Sequence, residues 1–176
     1  TEIYTLSLHD ALPISAEQLV LAESRAKRLN SSSLRLYSVY GPRERPEKLY
    51  TKLIACAFNN EKFPLFSGSQ KHLRSFTYVG DIIEGLLSAV KKHHELNGEI
   101  INLGTEAEYT TQEGIDYVEE LLGKKIELEV KPRRKGDQWH TRANINKAKK
   151  ILDYHPTTTL KDGLQRQINW YKANFL

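Results

Sequence analysis

Apolar positions along the chain change period several times, and each change marks an element. Leu19, Val20, Ala22, Ala26 and Leu29 recur at helical spacing among good helix formers, which predicts a helix over residues 16–29 ended by Asn30 and the serines that follow. In LRLYSVY, residues 34–40, alternation predicts a strand with Leu34, Leu36, Ser38 and Tyr40 on one face, stopped by Gly41 and Pro42. A helix is predicted over 47–59, a short extended piece over 63–66 and a second strand over 73–79. Residues 81–90 carry a stripe of Ile82, Ile83, Leu86, Leu87 and Val90, with Asp81 placed to cap that helix. A strand over 99–103 precedes Thr110 and Glu113, a capping-box pair that opens a helix to Leu122. A strand over 126–130, a helix over 144–152 and a last helix over 160–175, capped by Thr159, complete the chain. Strands and helices alternate throughout, so the fold class is α/β.

Composition narrows the class. With 39% hydrophobic and 27% charged residues among 176, the chain can bury a core and is not disordered. No apolar run is long enough to span a bilayer, and no segment has the order of a signal peptide. The one cysteine, Cys56, cannot form an internal disulfide, which makes a reducing cytoplasm the expected compartment. A net charge of +4 favours anionic partners, although a solubilising lysine surface has the same balance. The chain has no methionine and begins at Thr1, which predicts a truncated chain.

Three stretches carry candidate chemistry. In LRLYSVYGPRERP, 34–46, a strand runs into Gly-Pro and two arginines, and ligands in open α/β sheets sit beyond the carboxyl ends of strands. Ser38, Tyr40, Arg43 and Arg45 are therefore placed to meet a carboxylate or phosphate, or else the arginines stiffen a solvated turn. In KHLRSFTYVGDI, 71–82, Arg74 within a strand is either half of a cross-strand ion pair or held for an anion. In KPRRKGDQWHTRANINKAKKIL, 131–152, three readings stand: a charged surface loop, phosphate binding by Arg134 with Asp137 accepting from sugar hydroxyls, and a nucleic-acid patch beside Trp139. The six histidines show no metal-ligand spacing, and no Walker loop, Gly-x-Ser-x-Gly or dinucleotide glycine fingerprint is present.

Taken in order, LRLYSVYGPRERP, LFSGSQKHLRSFTYVGDIIEGLLSAV, INLGT, PRRKGD with ANINKAKKIL, and TTTLKDGLQRQINWY resemble the carboxyl-terminal half of an NAD-dependent epimerase/dehydratase of the extended short-chain dehydrogenase/reductase superfamily. The resemblance covers residues 16–176, and YGPRERP is most similar to UDP-glucuronate 4-epimerases. It implies a partial Rossmann-like fold: the last part of the parallel sheet over 16–42, and a substrate-binding region over 43–176 with some elements returning to the sheet. It implies that Ser38 contacts substrate, Arg45 holds the sugar carboxylate, Leu65 and Phe66 line the uracil pocket, and Arg74 binds the diphosphate of UDP. Ser75 stands where the family's Arg-Asp-Phe-Thr-Tyr phrase has Asp. Arg134 and Asp137 match the pair that grips diphosphate and ribose, and Tyr40, Gly41 and Pro42 shape the strand end near the nicotinamide. The implied cofactor is NAD and the implied partners are a UDP-sugar and, in the full-length protein, a second copy of itself, with no membrane. The implied reaction is a 4-epimerisation of UDP-glucuronate or UDP-glucose through transient oxidation at C4. Related 4,6-dehydratases and UDP-glucuronate decarboxylases are alternatives, and an anion or nucleic-acid binding module is the alternative from another class.

The family's helix before AEQLV carries Tyr-x-x-x-Lys, the acid/base pair. His9 and Pro13 occupy those two places here, and Pro13 is expected to interrupt the helix. The stretch LSLHDALPIS also resembles a translated sequencing adapter. The expectation is therefore that residues 1–15 are foreign and that the fragment by itself neither turns over nor holds NAD well.

Overall fold

The computed structural model describes residues 8–133 and 136–176, with side chains described from Ile14 onward. Helix α1 (Leu8–Arg25) leads into β1 (Ser33–Leu36), which pairs in parallel with β6 (Ile100–Leu103). A second parallel pair joins β2 (Val39–Tyr40) to β5 (Thr77–Tyr78), and a third joins β3 (Phe63–Phe66) to β8 (Leu128–Lys131). Strand β4 (Leu73–Arg74) lies between β7 (Tyr109–Thr110), antiparallel, and β9 (His140–Thr141), parallel. Helices α2 (Leu49–Asn59), α3 (Val79–Lys91), α4 (Thr111–Leu122), α5 (Asn146–Leu152) and α6 (Leu160–Phe175) pack on these strands. The result is the expected α/β arrangement with parallel pairing.

Two apolar cores form. One gathers Tyr40, Tyr50, Leu53, Ile54, Leu65, Ile115 and Leu164 between α2, α4, α6 and the short strands. The other gathers Ile82, Ile101, Leu103, Ile145, Leu152 and Tyr154 around β6, α3 and α5. The capping box forms as the sequence predicts: Glu113 N–H donates to Thr110 Oγ1 at 3.1 Å, and Thr110 N–H donates to Glu113 Oε2 at 2.7 Å. Thr159 caps α6 by accepting from Asp162 N–H.

Several expectations are corrected. Strand 34–40 is two strands because the chain changes partner: Tyr37 N–H still donates to Leu103, but Ser38, at φ 36°, turns the backbone so that its carbonyl accepts from Thr77. Strand 73–79 divides likewise, β4 joining β7 and β9 and β5 joining β2. Helix α3 begins at Val79, and Asp81 does not cap it; its carboxylate instead accepts from Thr158 N–H at 3.2 Å and Thr158 Oγ1 at 3.0 Å. Of the predicted α3 stripe, Ile82 is buried and Leu86 half-buried, whereas Ile83, Leu87 and Val90 face solvent. Helix α1 ends at Arg25, short of the predicted residue 29; it buries Leu21 and Ser24, while Leu19 and Val20 of the apolar pattern are exposed. Contrary to the expected interruption, the helix runs through Pro13 and forfeits one backbone hydrogen bond there.

Candidate functional site

The turn after β2 is built from unusual backbone. Gly41 has φ 133°, and a Cβ there would stand 2.8 Å from Val79 Cγ1, so only glycine fits against the start of α3. Arg43 follows with φ 67°, a left-handed conformation that a residue with a Cβ adopts at a cost. Glu44 N–H then donates to the Gly41 carbonyl at 3.1 Å, and Lys48 N–H to the Arg45 carbonyl at 3.0 Å, which closes both ends of the turn. The segment from Val39 to Arg45, with Lys48 and Val79, encloses a cavity of about 250 Å³. Arg43, Arg45 and Lys48 are exposed on its rim. Arg45 Nε lies 3.2 Å from Glu47 Oε1, both side chains in solvent.

Tyr40 itself is in the core. Its hydroxyl points to the Thr159 and Leu160 carbonyls at 3.3 Å, and burial raises its pKa far above the usual phenol value. The side chain thus supports the strand end, and the cavity is offered by backbone and by the arginines. Glu44 turns inward beneath them, where Thr51 and Gln167 donate to its carboxylate and burial raises its pKa.

A larger cavity of about 510 Å³ lies on the other side of the start of α2. Phe63, Leu65 and Phe66 of β3, Leu49 of α2 and Pro132 give it apolar walls, and Lys52, Lys131, Ser69 and Thr111 add polar groups. Glu47 also lines it, so consecutive residues 47–49 separate the two cavities. Leu65 is buried and Phe66 half-buried.

Arg74 is anchored to backbone: Nη2 donates to the Gln138 carbonyl and Nη1 to the Leu73 carbonyl at 3.1 Å. Leu73 N–H donates to the Trp139 carbonyl at 2.9 Å, so β4 runs beside residues 138–141; Asp137, just before them, is half-buried. The cross-strand ion pair foreseen as one option for Arg74 is not among the described contacts. The Arg133 guanidinium sits 4.7 Å from the Trp139 ring centre, and His72 meets the ring edge-on at 5.2 Å, so the indole is already engaged. Ser38 is exposed at the β1–β2 junction and lines neither cavity. Arg134 and the side chains of His9 and Pro13 lie outside the described residues. No group of three His, Cys, Asp or Glu side chains able to hold a metal occurs among the described residues.

Of the four residues that the sequence groups at the strand end, Tyr40, Arg43 and Arg45 line one cavity together with Gly41 and Pro42, whereas Ser38 does not; Leu65 and Phe66 line the other. Sequence reasoning missed Glu44, Lys48, Lys52 and Thr111. Lys48 and Lys52, four apart at the head of a helix, were the available signal. Together the cavities suit an anionic ligand with a flat apolar part: cations rim one, and apolar walls with two lysines form the other.

Known proteins of this shape carry such ligands. The chain is 34% identical over 170 residues to a UDP-glucuronate 4-epimerase of Thermodesulfobacterium geofontis, covering 96% of this chain and 51% of that one. It is 31% identical to an uncharacterised UDP-glucose epimerase, YtcB, of Bacillus subtilis, over 98% of this chain and 54% of the relative. The UDP-glucuronic acid 4-epimerase of Bacillus cereus, crystallised with UDP-glucuronic acid and NAD, superposes with a TM-score of 0.88 at 27% identity, over 99% of this chain and 58% of that one. The chain therefore spans about half the length of the curated relatives it matches. The sequence profile described as the NAD dependent epimerase/dehydratase family matches residues 1–104, more than half of the 176, and the chain belongs to that family.

Proposed function

We propose that this chain is the nucleotide-sugar-binding half of a UDP-sugar 4-epimerase whose preferred substrate is UDP-glucuronate. The observation that carries the reading is the pair of cavities flanking the start of α2, one with apolar walls and the other rimmed by Arg43, Arg45 and Lys48. The uracil is assigned to the apolar walls that Leu65, Phe66 and Pro132 contribute to, and the sugar carboxylate to the arginine turn. Arg74 is assigned to the diphosphate, and Arg134 with Asp137 to diphosphate and ribose. Ser38 is assigned to the sugar, and Tyr40, Gly41 and Pro42 to shaping the strand end where the cofactor meets it.

NAD belongs to this reading of the whole protein, where it would supply transient oxidation at C4. The described residues of this chain contain no glycine-rich turn between a strand and a helix, so no part of that oxidation is placed on them. The protein is assigned to the cytoplasm and, at full length, to a homodimer; the 176 residues alone are assigned binding without turnover. No described helix is long and apolar enough to cross a membrane.

Calorimetric titration of the chain with UDP-glucuronate and UDP-glucose tests the reading. Both should bind at micromolar concentrations, and Arg45→Ala should weaken UDP-glucuronate about tenfold while changing UDP-glucose less than about threefold. Equal losses for the two sugars would overturn the uronate assignment. Tight, steeply salt-dependent binding of oligonucleotides without UDP binding would overturn the whole reading.

A further inference from the structure

Three charged residues in a row, Arg43, Glu44 and Arg45, do not behave alike. The two arginines are exposed, whereas Glu44 is drawn inward. A glutamate between two arginines on a surface turn would ordinarily swing out and pair with one of them. Here the carboxylate takes neutral donors instead: Thr51 N–H at 3.3 Å, Thr51 Oγ1 at 2.9 Å and Gln167 Nε2 at 2.9 Å, all on Oε2. Gln167 is itself buried on α6, and its Nε2 also donates to Thr51 Oγ1 at 2.9 Å. One side chain thus registers the turn to two helices that begin and end far apart in the sequence.

Two further facts bear on why. The turn holds Arg43 in left-handed backbone, a conformation that persists only when the surroundings over-determine it. Glu44 is the residue that follows, and its side chain is anchored to Thr51 and Gln167. A half-buried carboxylate whose hydrogen bonds all come from neutral donors is also a poor purely structural choice, because an apolar side chain would fill the same space without losing hydration. Burial indeed pushes the Glu44 carboxyl above its ordinary range despite the donors it accepts from, with Lys48 the nearby cation that opposes the shift. Among the described residues Arg43 has no ion-pair partner, and Arg45 has only the solvent-exposed Glu47, a contact that a ligand carboxylate can displace.

We propose that Glu44 is a positioning residue: tied to α2 and α6, it fixes the turn so that Arg43 and Arg45 are presented to an acidic sugar without being neutralised by the residue between them. The proposal rests on the uronate reading above. It differs from it in placing sugar discrimination on a residue whose carboxylate is engaged by Thr51 and Gln167.

The test compares UDP-glucuronate with UDP-glucose binding to the chain and to Glu44→Ala, Glu44→Gln and Gln167→Leu, each checked for a cooperative thermal melt. Wild-type chain binding UDP without preferring the uronate would overturn the underlying reading and would leave no discrimination to position. Given that preference, Glu44→Ala should cut it about tenfold with UDP-glucose binding retained, Gln167→Leu should cut it about threefold, and Glu44→Gln, which keeps an acceptor oxygen, should restore most of it. A merely structural role would weaken both sugars together, and that outcome overturns the proposal, as does an unchanged preference in Glu44→Ala. Should Glu44→Ala fail to melt cooperatively, Gln167→Leu decides: it leaves the carboxylate and Thr51 in place, and an unchanged preference there overturns the proposal.

Discussion

The hydroxyl of Tyr50 is buried with no hydrogen-bond partner among the described residues, and a methyl on Gly114 would stand 2.5 Å from it. An orphaned buried hydroxyl costs its lost hydration, so Tyr50→Phe should be neutral or stabilising by up to about 1 kcal/mol. Gly114→Ala should cost about 1–3 kcal/mol from overpacking, and less when combined with Tyr50→Phe, since the clash is with the oxygen first. Urea unfolding of the single and double variants measures this; a Tyr50→Phe cost above about 1 kcal/mol would mean the hydroxyl is paired. At this scale the sequence is legible by halves. A glycine inside a helix, at 114 or at 163 where Tyr40 presses in, signals a close approach, but not what approaches. Arg45 could be singled out because Gly-Pro after a strand places the next residues over the sheet's ligand edge. Glu44 could not, because its inward turn depends on the left-handed Arg43 and on Gln167, 123 residues away.

Between elements, one carboxylate of α1 reaches across to β1. Glu17 accepts from Arg35 Nε at 2.8 Å, from Arg35 Nη2 at 2.6 Å and from Ser33 Oγ at 2.8 Å. Arg35, then Ser33, holds its pKa down at about 2 against an ordinary 4.5. A carboxyl depressed on folding contributes stability that is complete above its unfolded value and lost as pH falls from there through its folded value. The contribution should therefore be whole at neutral pH and fade between about pH 4.5 and 2. Because half of Arg35 faces solvent, it amounts to about 1 kcal/mol rather than the full shift. Glu17→Gln should lower stability by that amount at pH 7, and the gap should narrow by about pH 3; a gap independent of pH would assign the loss to packing. The elements themselves were largely readable, because periodicity and caps are local, as Thr110 with Glu113 demonstrates. What periodicity could not give was partner exchange. The chain stays extended on both sides of Ser38, so alternation reads as one strand, while the hydrogen bonds pass from β6 to β5.

Across the molecule, burial is uneven in a way that the pattern alone concealed. A five-residue apolar stripe on α3 reads as a core face, yet Ile83, Leu87 and Val90, one helical face at i, i+4 and i+7, are 48%, 48% and 69% exposed. On α1, Ile14, Leu19 and Val20 are exposed too, and among the described residues β1 has a strand partner on one side only, with Leu36 open to water. Parallel strands are ordinarily covered on both faces, and contiguous apolar surface on a water-facing helix drives association. The 176-residue chain at about half its relatives' length should therefore self-associate as concentration rises, although each of its two cores is closed by its own residues. Sedimentation velocity across a concentration series should show mass increasing beyond the monomer. Ile83→Lys with Leu87→Lys should shift that association to higher concentration while leaving the melting temperature nearly unchanged, because neither side chain supports a core. A monomer at every concentration would mean that these faces are too dispersed to act as a patch. Association unmoved by the α3 lysines would place the adhesive surface at the open edge of β1 instead, where Leu36→Lys becomes the decisive change.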